Sequence, residues 1–64
     1  MDWKVAEDLL KKMSKVYTSD NMRKLTYNFW IFPLELRFKA GERSGGLYES
    51  IVTMSRELMK DLVA

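Results

Sequence analysis

Residues 25–38 read Leu-Thr-Tyr-Asn-Phe-Trp-Ile-Phe-Pro-Leu-Glu-Leu-Arg-Phe, and the conformation of this stretch decides the fold. It contains Tyr27, Phe29, Trp30, Phe32 and Phe38, five of the eight aromatic residues, and Pro33, the only proline. Two conformations compete. As a helix, Met22, Leu25, Phe29 and Phe32 fall three, four and three residues apart and share a face. Ser19 and Asp20 supply a start. Pro33 lacks an N–H and crowds the preceding turn, so it is expected to end that helix and open a short one from Leu34 to Ala40, with Gly41 as its left-handed terminator. As a strand, Leu25, Tyr27, Phe29 and Ile31 alternate to one side, and a bulge at Phe32-Pro33 brings Leu34, Leu36 and Phe38 to the same side. No other part of the chain offers a pairing strand, so this second reading is an α-β-α fold with segment 25–38 paired across a dimer. The helical reading needs no outside partner and is preferred.

The flanks are plainer. From Asp2 to Tyr17, the residues Trp3, Ala6, Leu10, Met13 and Tyr17 recur at spacings of three and four, the stripe of a helix with one buried face. Asp2 caps it, Glu7 and Asp8 lie toward its positive end, and Lys11, Lys12 and Lys15 lie toward its negative end. Thr18 to Asn21 is a run of turn and cap residues that breaks the helix. Gly41 to Gly46 holds all three glycines and reads as a loop. Residues 47–63 form a second amphipathic helix, with Leu47, Ile51, Met54, Leu58 and Leu62 as its stripe. The fold expected is mainly α: one small domain over residues 1–64, with helices at about 2–17 and 47–63 packed on a central aromatic segment.

Size and composition limit what such a chain can do. Sixty-four residues with 47% apolar and 31% charged content describe a folded domain with little interior. Chains this short are commonly reinforced by disulfides, a metal or a second subunit. The absence of cysteine and histidine removes the first and the commonest ligands for the second, leaving self-association. No apolar run is long enough to span a membrane, and Met1-Asp2 leads straight into a charged amphipathic segment, so a cytoplasmic protein without a secretory leader is expected.

The same absences exclude nucleophile and base pairs built on cysteine or histidine. Glu35 is the one acid embedded in apolar sequence, and it reads as a solvent-facing glutamate in a first helical turn. The glycine loop lacks the Gly-Lys-Ser/Thr ending of a phosphate loop, although Arg43 and Ser44 beside a helix start suit a weak anion site. No enzyme, cofactor or metal is expected.

Charge is uneven along the chain. Between Lys11 and Arg43 there are eight bases against three acids, within a chain whose net charge is +2. Two functions follow as expectations. The first is a small non-enzymatic intracellular regulator or adaptor that works through protein–protein contact as a homodimer, with Trp30 and Phe32 as anchors and Trp3 and Tyr48 at the stripe edges. The second is nucleic-acid binding through the 11–43 segment, with Arg23, Lys24, Arg37, Lys39 and Arg43 on phosphates and aromatic rings stacking on bases. Asn28 to Leu34 with its flanking bases also suits a membrane interface.

Overall fold

The computed structural model describes the backbone of residues 1–63 and the side chains as far as Lys60. It contains helix α1 (Trp3–Tyr17), helix α2 (Asn21–Thr26), a π-helical turn (Tyr27–Ile31), helix α3 (Phe32–Lys39) and helix α4 (Gly45–Val63). Among the described residues there is no strand, so the alternative with 25–38 as a bulged strand is corrected to helix.

The starts of α1, α2 and α4 each carry a side-chain cap. The Asp2 carboxylate accepts from the N–H groups of Lys4 and Val5 at 3.1 and 3.4 Å. The Asp20 carboxylate accepts from the Arg23 N–H at 2.8 Å, and the Ser44 hydroxyl accepts from the Leu47 N–H at 3.1 Å. α4 therefore begins two residues earlier than its apolar stripe.

Pro33 does not end the second helix. Helical backbone runs without interruption from Asn21 to Lys39, because the turn before the proline widens. In that turn the Phe32 N–H donates to the Tyr27 carbonyl, five residues back. A regular α-turn would press the Pro33 ring on the Phe29 carbonyl, and the wider π-turn relieves that clash where the proline has no N–H to offer.

The end of α3 is a two-bond C-terminal cap around Gly41, whose φ is +96°. The Gly41 N–H donates to the Phe38 carbonyl at 3.1 Å and the Glu42 N–H to the Arg37 carbonyl at 3.0 Å, the pairing that closes a helix through a left-handed residue.

The core is a seam between α1 and α4, closed from one side by the π-turn and α3. α1 contributes Ala6, Leu10, Met13 and Tyr17, and α4 contributes Leu47, Ile51 and the buried Ser55. The Tyr17 hydroxyl donates to the Leu58 carbonyl at 2.7 Å and ties the end of α1 to α4. From the 21–39 segment only Ile31 and Leu34 are buried. The two long helices pack on each other as well as on this stretch, which closes their seam with Tyr27, Ile31, Leu34 and Phe38. Leu62 lies outside the described side chains.

Candidate interaction surface

The stripe Met22, Leu25, Phe29 and Phe32, read from the sequence as one helical face, is one face of a helix, and it points outward. These four residues, with Trp30 and Leu36, keep between 43% (Phe32) and 79% (Met22) of their surface open. The inward side is the neighbouring stripe, Tyr27, Ile31, Leu34 and Phe38, at spacings of four, three and four. Both sides of this helix are apolar, and only one fits the groove beside α1 and α4.

Down the outward side, Leu25, Phe29, Pro33 and Leu36 follow one another at spacings of four, four and three, with Trp30 and Phe32 to either side. Taking an aromatic side chain at about 150–250 Å² and the aliphatic ones somewhat lower, the open apolar surface of the six residues is roughly 600–700 Å². That is a large apolar exposure for one helix of a monomer, whose largest contiguous apolar patch is commonly about 300–600 Å². No acid occurs from Asn21 to Leu34.

Of the four candidate anchors, Trp30 and Phe32 lie on this outward side. Trp3 and Tyr48 do not. They meet edge to face at 5.3 Å between ring centres, half-buried where α1 meets α4, and Phe38 stands 6.2 Å from Trp3. The Arg43 guanidinium lies 3.9 Å from the centre of the Phe38 ring and 5.3 Å from that of Trp3, a cation held on two aromatic rings.

The five candidate phosphate-binding bases are largely engaged within the chain. Arg23 stands 3.9 Å from Asp20 and Lys39 stands 3.8 Å from Glu35. Arg37 grips Glu42 with two hydrogen bonds, Nε to Oε1 at 2.9 Å and Nη2 to Oε2. Arg43 donates to the carbonyls of Phe38 and Glu42 at 2.9 and 2.7 Å. Lys24 has no ion pair among the described residues.

The glycine loop supplies its own anion. The Glu42 carboxylate accepts from Arg37 and from the Ser44 hydroxyl (2.7 Å), beside the start of α4. Its hydrogen bonds to Arg37, then to Ser44, hold its pKa down at about 2.

Glu35 departs from its expected solvent-facing position. It lies in the first turn of α3, but its side chain is only 14% exposed and its Oε1 has no hydrogen-bond partner. Burial, and then the neighbouring Glu35, push the Tyr27 phenol above its ordinary value, while Ser14 pulls it back. A groove of Glu7, Leu10, Ser14 and Phe38, rimmed by Lys11, Lys15 and Lys39, opens over this carboxylate. Among the described residues, no three acids converge as a metal site would require, and no helix is long and apolar enough to cross a membrane.

Sequence spacing found the outward stripe as one helical face, and the inward stripe went unremarked as a helical face. The 3.6-residue period marks a face without saying which way it turns. The chain matches no protein-family model, no curated protein and no solved structure.

Proposed function

We propose that this chain is a non-enzymatic interaction module, a small regulator or adaptor whose working surface is the outward face of helix 21–39. One observation carries this reading: six large apolar side chains, three of them aromatic, stand open on one short helix, with Leu25, Phe29 and Leu36 along its outward stripe and Trp30 and Phe32 on its two flanks, in a chain with few residues to spare for its core. Leaving roughly 600–700 Å² of such surface in water opposes solubility, and a partner that covers it recovers the hydrophobic free energy. Rigid aromatic side chains bury large areas at small entropic cost, so Phe29, Trp30 and Phe32 are the anchors. The setting proposed is cytoplasmic.

Site-specific photo-cross-linking in the native host tests this. A photoreactive residue at position 29 or 32 should give a protein adduct, and one at Lys12 on α1 should not. Equal adducts from both positions, or none from 29, would refute the assignment.

Nucleic-acid binding is a second reading, favoured by the open aromatic rings on the same helix as Lys24, which has no ion pair among the described residues. It ranks lower because Arg23, Arg37, Lys39 and Arg43 are engaged within the chain and would have to leave those partners to reach phosphates. Fluorescence anisotropy of labelled duplex and single strand at low and physiological salt separates the two readings. Binding that weakens steeply with salt promotes the nucleic-acid reading, and no binding at low salt removes it.

A further inference from the structure

We infer that the occupant of the outward face of helix 21–39 is the same face of a second copy of this chain, an inference that rests on the interaction reading above. Area is the first argument. A standard protein–protein interface buries about 1,200–2,000 Å² in total, near 800 Å² from each partner. Two copies, each with up to roughly 600–700 Å² of open apolar side chain on this helix, come to the lower end of that range, with the polar rim around the stripe adding to it.

Shape is the second argument. A twofold interface must be complementary to itself, each residue meeting its counterpart or exchanging partners across the axis. The patch runs from Met22 to Leu36 with Phe29 at its midpoint. Antiparallel packing about an axis at Phe29 sets Phe29 against its own copy and Leu25 against the turn that holds Pro33. Antiparallel helices also oppose their macrodipoles favourably.

Charge is the third argument, and it separates a second copy from an anionic surface. Of the four bases on this helix, Arg23, Arg37 and Lys39 each stand beside an acid of the same chain. Among the described residues this leaves Lys24 as the one cation of the helix without an ion pair. Two such faces meet with little repulsion, whereas a lipid or nucleic-acid surface gains little from one lysine.

Sedimentation equilibrium of the full chain, from low to high micromolar concentration, tests the dimer. The wild type should sediment at about twice 7.6 kDa. The Phe29→Glu variant should sediment at 7.6 kDa with the same helical circular dichroism, since Phe29 is 73% open in the single chain. A second test does not depend on that variant folding. The chain has no cysteine, so mild oxidation of a Phe29→Cys variant should give a covalent dimer, and a Lys12→Cys variant should not.

A wild type at 7.6 kDa throughout overturns the inference. If the tryptophan emission of a Trp3→Phe variant of that monomer, which reports Trp30 alone, shifts blue with phosphatidylglycerol vesicles, the face belongs to lipid, which also overturns it. A monomer that still yields a position-29 photo-adduct with a different protein overturns the dimer and leaves the interaction reading standing. Loss of both the dimer and the adduct overturns both.

Discussion

Met13 and Trp30 show how burial separates two large side chains with equal claims to the core. Met13, on α1, is fully buried, whereas Trp30 is 58% exposed. Met13→Ala removes buried methylenes and leaves a cavity, a loss of about 2–5 kcal/mol. Domains of this size have only about 3–5 kcal/mol from a lone core, so this variant is expected to be largely unfolded at room temperature. In dilute solution Trp30→Ala should stay within about 0.5 kcal/mol of wild type, as surface substitutions do. Urea unfolding followed by circular dichroism checks both, and a Trp30→Ala protein that unfolds would show that residue to be core.

At the scale of elements, the connection from α3 to α4 is the most tightly specified part of the chain. Gly41 provides a φ of +96°, Glu42 joins Arg37 to Ser44, and Ser44 caps α4. A Cβ at Gly41 would meet nothing within 4 Å, so the cost of Gly41→Ala is backbone strain alone, about 1–2 kcal/mol. Thermal unfolding should show it as a lower midpoint with an unchanged folded spectrum.

Glu42 adds a dependence on pH. Folding lowers its pKa from the ordinary 4.5 to about 2, so its contribution is present above pH 4.5 and disappears as pH falls toward about 2. The Glu42→Gln variant should unfold at a lower temperature than wild type at pH 7, and the two midpoints should converge by pH 2. Midpoints that keep a constant separation across this range would show that the carboxylate does not supply the effect.

For the whole molecule, the thin core and the open helix face belong to one argument. The described core has eight apolar side chains, and six further large ones stand open on the 21–39 helix. Burying them against a second copy makes stability depend on chain concentration. The wild-type unfolding midpoint should rise by a few degrees for each tenfold increase in concentration, while that of Phe29→Glu should stay constant. A wild-type midpoint independent of concentration would mean that the face is covered by something other than this chain, or by nothing.

Sequence alone determined the parts of this protein in which local chemistry admits one answer. α1 and α4 each carry one apolar stripe opposite charged residues, so their buried faces were legible as Ala6, Leu10, Met13 and Tyr17 and as Leu47 and Ile51. The caps at Asp2 and Asp20 and the left-handed Gly41 were legible because each satisfies backbone groups that few other residues can. Only the tertiary structure decided how residues 21–39 lie. Both of their faces are apolar, and the hydrophobic effect has no direction with which to choose between them. The choice fell to shape: Ile31 and Leu34 fill the space beside α1 and α4, the π-turn carries the helix past Pro33, and Phe29 and Trp30 are left facing outward.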